Sequence, residues 1–106
     1  MSIALAQVGQ FFLSAVATGL GRDLLSGIFS SSQVIDFRLT KIHAIAGIAI
    51  GAIAVVFGTK AAAAALATHS FYALFTWIFN DKASDVNLLM MHLAAVALGL
   101  CSSFAI

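Results

Sequence analysis

The chain has 106 residues, 62% of them hydrophobic and only 8% charged, with a mean hydropathy of +1.10. Average soluble domains carry roughly 25% charged residues, so this composition excludes a water-soluble globule, and a formal charge of +1 leaves no basic footprint for direct nucleic-acid binding. A single Cys excludes an intramolecular disulfide and a multi-Cys metal site, and without proline no helix is broken by an imino acid.

The N-terminal segment, residues 1–31, is expected to be one helix. Ile3 to Leu20 is uncharged but carries Gln7, Gln10, Ser14 and Thr18, and Arg22 and Asp23 follow. It reads either as an interfacial helix or as a fourth span. Ala4-Leu5-Ala6 resembles a cleavage site, but the cationic start of a signal peptide is missing from Met1-Ser2-Ile3, so the segment is expected to be retained.

Three apolar runs of the length that crosses a bilayer as a helix, about 20 residues, come next, with Lys41 near the start of the first as their one Lys, Arg, Asp or Glu: 39–59, 61–79 and 86–106. Lys60 separates the first two, and Asn80 to Asp85 separate the second from the third. Gly58-Thr59-Lys60 supplies a glycine stop and a terminal cation, which predicts a tight antiparallel turn. The expected fold is therefore a single all-α integral membrane domain with three transmembrane helices plus the N-terminal helix. If the spans alternate, Arg22, Arg38, Lys41 and Lys82 fall on one side and Lys60 on the other. The basic side then faces the cytoplasm of a bacterium or the matrix of a mitochondrion.

Small residues one turn apart mark helix contacts in lipid. Gly47 and Gly51 form a GxxxG, and the same stripe runs from His43 through Ala54 to Gly58. Ala95, Gly99 and Ser103 repeat the device in the last run, with His92 one turn earlier. Helix packing is the plainest role for these residues. The Ala61 to Ala65 run is too uniform to identify one face. Phe71, Tyr72, Phe75, Trp77 and Phe79 read as an interface belt with lipid contacts, and Cys101 as a small buried apolar residue.

Three histidines inside apolar runs are the most informative residues, because an ionisable side chain there is costly and needs a partner. Counting about 1.5 Å per residue from the basic side, His43 lies about 6 Å deep, His92 about 9 Å and His69 about 16 Å. A neutral imidazole ligates haem iron or the magnesium of a chlorophyll, and small residues beside it leave room for a flat macrocycle. Alternatively each histidine bonds a backbone carbonyl, Ser or Thr across a helix contact. The matched depths of His43 and His92 allow those two to clamp a haem within this chain.

The segment from Ala61 to Leu100, with His69 followed at the basic interface by Asn80-Asp81-Lys82, resembles the small cytochrome b membrane-anchor (SdhD-type) subunit of succinate dehydrogenase. That resemblance implies a non-catalytic membrane subunit of a respiratory electron-transport complex, in the mitochondrial inner membrane or bacterial plasma membrane, holding haem b or quinone. It further implies that His69 is an axial ligand, with the second ligand from a partner chain. Asp81 would lie by the quinone, and Arg38 or Lys41 would pair with propionates. Lys82 stands where the family has Tyr, and Ala73 or Tyr72 replaces its usual glycine.

Phe57-Gly58-Thr59-Lys60 is similar to the loop between the two apolar helices of TrbC-type conjugative pilins, which implies a self-assembling protein of an extracellular pilus. A chlorophyll-binding photosystem subunit of the thylakoid is a further alternative. With no nucleophile paired to a base, no metal cluster and no nucleotide loop legible in the sequence, the chain is expected to act as a subunit, with other membrane subunits, copies of itself and lipid as partners.

Overall fold

Runs of Ala, Leu, Ile and Phe uninterrupted by proline favour helix throughout, since nothing removes a backbone donor from the ladder. A computed structural model describes residues 5–29, 37–79 and 84–105. These form four helices: α1 (Leu5–Phe29), α2 (Arg38–Phe57), α3 (Thr59–Phe79) and α4 (Asp85–Ser103). There is no strand among the described residues. Two helices, Arg38–Phe57 and Val86–Ser103 within α4, are long and apolar enough to cross a membrane.

The helices alternate in direction. Val8 and Phe12 near the start of α1 meet Gly51 and Gly47, whereas Asp23 near its end meets Leu39 and Thr40 at the start of α2. Gly99 of α4 lies against Ala64, Ala65 and Thr68 of α3, and Phe57 meets Phe104 edge to face at 5.6 Å where α2 and α4 end together. Arg22, Arg38 and Lys41 thus lie toward one end of the bundle and Lys60 at the other. Lys82 is outside the described residues. The N-terminal helix takes its place in the bundle, packed along α2 with a smaller contact to α3.

The core is made of small side chains. Ala15, Ala46, Ala54, Ala62 and Ala65 are all fully excluded from solvent around Ile50. In α3 the buried face runs through Ala61, Ala65, His69, Ala73 and Thr76, the helical spacing that the alanine run concealed. Cys101 corrects its expectation: it is exposed, because the packed face of α4 carries Gly99 and Ser103 instead.

Glycines divide by what stands next to them. A Cβ at Gly47 would meet the Phe12 carbonyl oxygen at 3.1 Å and the Ala15 Cβ at 3.2 Å, whereas one at Gly51 would meet only Val8 Cγ1 at 3.4 Å. Gly58 leaves the stripe altogether. A Cβ there would find no atom within 4 Å, so it is not a packing glycine. It is the C-cap of α2, with φ +97° and ψ 175°, and its N–H donates to the Ala54 carbonyl at 3.1 Å. That backbone region is accessible essentially to glycine alone, which is why one residue suffices to join α2 to α3. Gly58→Ala is therefore expected to cost about 1–3 kcal/mol. Gly51→Ala, in ordinary contact distance of its neighbour, should gain about 0.5–1 kcal/mol from helix propensity. Denaturation of both variants in detergent checks this opposition of sign.

Candidate metal centre

His43 of α2, His69 of α3 and His92 of α4 converge on one point. Their ring centroids are 4.6 Å apart for His43 and His69, 4.7 Å for His43 and His92, and 5.0 Å for His69 and His92. All three are 0% exposed, and one ligand atom from each lies within 4.8 Å of the others. This corrects the expected depths, which made His43 and His92 a pair and put His69 deeper. That estimate treated the polar clusters as level. His43 stands fifteen residues before Gly58 and His69 eleven after it, so the helices on either side of the turn are offset along the bundle axis.

Close helix approach makes the convergence possible. A Cβ at Gly19 of α1 would come within 2.6 Å of His43 Cβ and 2.8 Å of the Leu39 carbonyl oxygen. On the opposite side, a Cβ at Gly99 would come within 2.6 Å of the Ala64 carbonyl oxygen and of Ala65 Cα, and 2.8 Å of Thr68 Oγ1. These glycines set the spacing of α1 to α2 and of α3 to α4, and the second of these spacings brings His69 and His92 together. Ala95, one turn beyond His92, and Ser103 are buried on the same face of α4.

Polar satisfaction around the rings is unusual. Nδ1 of His43 and both ring nitrogens of His69 and His92 have no hydrogen-bond partner among the described residues. Nearby hydroxyls do not serve them, because Thr68 Oγ1 donates to the Ala64 carbonyl at 2.9 Å and Thr76 Oγ1 to the Ala73 carbonyl at 3.0 Å, each within α3. The expected alternative, a histidine bonded to a Ser or Thr across a helix contact, is thus not found among the described residues. Buried polar atoms are normally paired, so five such nitrogens in one place single out this cluster as a candidate ligand set.

Arg22 borders the cluster. Its side chain is 5% exposed, and its Nη1 lies 3.5 Å from Nε2 of His43, a distance at the far limit of a hydrogen bond. The adjacent Asp23, 4% exposed, faces the other way along the helix contact. Its carboxylate accepts from the Leu39 N–H at 3.2 Å, and from the Thr40 N–H and Thr40 Oγ1 at 2.7 Å each. No side chain of α2 caps its own first turn, so α1 supplies the cap. Arg22 and Asp23 were legible only as a charged boundary. The signal that they turn inward is Gly19, one turn earlier on the same helix.

The remaining expected site residues separate from this cluster. Arg38 opens α2, a little over one turn before His43, and Lys41 is exposed. Asp81, with Asn80 and Lys82, lies outside the described residues. Tyr72 packs edge-on against His92, with centroids 5.3 Å apart, and lines an open apolar groove of about 650 Å³ between α3 and α4 with Phe71, Phe75, Met91 and Leu98. Phe71 and Phe75 are exposed, and the side chains of Trp77 and Phe79 lie outside the described ones.

The donor set matches a small ion better than a flat macrocycle. Axial ligands on opposite faces of a haem are held apart by the thickness of the ring, whereas these imidazoles are in contact with one another. For His69 to reach a haem shared with a partner chain, it must first leave a cluster in which it is fully buried. The residues here do not fit haem in this arrangement. Three imidazoles do form a recognised ligand set for a transition-metal ion, at N–metal distances of about 2.0–2.1 Å for zinc. No protein-family model, no curated protein and no solved structure matches this chain.

Proposed function

We propose that the chain is an integral membrane helical bundle that holds one transition-metal ion between His43, His69 and His92, as a non-catalytic subunit of a larger membrane assembly. The observation that carries this reading is the meeting of three fully buried imidazoles from three helices, with five of six ring nitrogens lacking a hydrogen-bond partner among the described residues. A hydrophobic core alone gives no reason for that arrangement, since each buried unpaired polar group costs about 1–3 kcal/mol.

The membrane part of the reading rests on composition and on where the apolar side chains point. Leu13, Ile28, Ile48, Val56, Phe71, Val86, Met90 and Leu98 are large, apolar and exposed, and the long axis of the bundle, 48 Å, exceeds the hydrocarbon thickness of about 30 Å. In this reading α2, α3 and α4 span, and α1 is a fourth span carrying Arg22 and Asp23 on its protein-facing side. The metal takes the place that haem held in the redox-anchor expectation, so membership of a redox complex stays within the proposal.

Metal analysis of the detergent-purified chain, stripped and then reloaded, tests the function. One equivalent of metal per chain is expected, and His69→Gln should abolish it while helix content by circular dichroism is retained. A chain that binds no transition metal overturns the proposal. A Soret band in the purified protein, lost in His69→Gln, would replace it with haem binding.

A further inference from the structure

Resting on the metal-centre reading and narrowing it, we infer that the site is built for a monovalent, three-coordinate ion, copper(I), in preference to zinc(II). The first argument is charge. Among the described residues the cluster holds three imidazoles, each a neutral donor, with no carboxylate or thiol in it. A loaded site therefore carries the whole charge of its ion in fully buried surroundings. The cost of burying an ion rises with the square of its charge, so a dication costs about four times as much as a monocation of equal size. The Arg22 guanidinium, 3.5 Å from Nε2 of His43, is a positive charge already at contact distance. It weighs twice as heavily against a dication as against a monocation.

The second argument is coordination number. Zinc held by three histidines completes its tetrahedron with a water or substrate and keeps one position open for it. Among the described residues no Cys, Asp or Glu joins the cluster to fill that fourth position; the rings are 0% exposed, Tyr72 packs edge-on against His92, and Arg22 stands at His43. Copper(I), with a filled d shell, is satisfied by three nitrogen donors in a plane.

Anaerobic titration of the full chain in detergent, with copper(I) buffered by bicinchoninate and zinc(II) followed by a colorimetric chelator, tests this. One copper(I) per chain is expected, retained against a large excess of zinc(II), with an X-ray absorption spectrum showing three nitrogen scatterers and no sulfur. His92→Gln should lower copper(I) affinity by more than the roughly 10–100-fold typical of changing a residue that only hydrogen-bonds a ligand. Tyr72→Phe should leave it unchanged. Silver(I), of equal charge and filled d shell, should bind the metal-free unaltered protein at one ion per chain, a measurement that needs no variant to fold, and its failure to bind counts against a site for monocations. Zinc(II) binding as tightly as copper(I), or displacing it, overturns the preference for a monocation and leaves the metal centre standing. A chain that takes up neither metal overturns both.

Discussion

Gly99→Leu should separate α3 from α4 and abolish metal binding, with a loss of stability at or beyond the upper end of the roughly 1–3 kcal/mol that ordinary overpacking costs. The reason lies in what a side chain there would strike. Two of the three atoms around the Gly99 Cβ position, both at 2.6 Å, belong to the α3 backbone, and backbone cannot rotate aside as the tip of a flexible side chain can. Relief requires α3 to move away as a unit, and His69 moves with it. The 5.0 Å contact between His69 and His92 is then lost. Gly9→Leu is the matched control, because a Cβ at Gly9 meets nothing within 4 Å. Thermal unfolding in detergent and metal stoichiometry should fall together in the Gly99 variant and stay at the wild-type level in the Gly9 variant. Equal behaviour of the two would mean that α3 and α4 are not packed through this glycine.

Asp23→Ala should destabilise the fold by about 3 kcal/mol or more, although Asp23 contributes no ligand to the metal centre. Two backbone N–H groups at the start of α2 and the Thr40 hydroxyl all donate to this one carboxylate. Removing it orphans the buried Leu39 N–H and strips the part-buried Thr40 N–H and hydroxyl of their acceptor, and each such loss costs about 1–3 kcal/mol where water does not take its place. Asp23→Asn should recover only part of the loss, because an amide presents a donor where three donors converge. Chemical denaturation followed by circular dichroism measures the difference. A change in Asp23→Ala within about 0.5 kcal/mol, as at an ordinary surface site, would show that water caps α2 and that α1 is not needed for it.

Much of this architecture was legible in the sequence because lipid-length apolar runs and small-residue stripes are local patterns. Gly47, Gly51, Ala95 and Gly99 were found as contact residues by spacing alone, and Gly58 as a stop. Gly58 was also read as a packing residue, because a stripe at helical offsets cannot tell its last member from the turn that ends it. His43 and His92 were paired by depth, but the meeting of both with His69 was not read. Where two helices sit relative to each other along the bundle depends on how deep the side chains between them let them approach. That is a property of pairs such as Gly19 with His43, which lie far apart in the chain. Arg22 and Asp23 were missed as inward-facing residues for a related reason. Charge marks a boundary when only one helix is considered, and becomes a cap or an electrostatic neighbour once a second helix supplies N–H groups or a ring.

The smoothness of these contact faces has a consequence for how the helices keep their place. Alanine and glycine offer shallow relief, so these faces are held in register at a few points, where Gly19, Gly47 and Gly99 admit a neighbour's atoms and Asp23 bonds the start of α2. A slip of one turn displaces a residue by about 5.4 Å, farther than the 4.8 Å that encloses the three ligand atoms. An ion held by all three histidines is incompatible with any slipped arrangement of α2, α3 or α4. Metal would then act as a detent, reinforcing the one longitudinal alignment that these few contacts select.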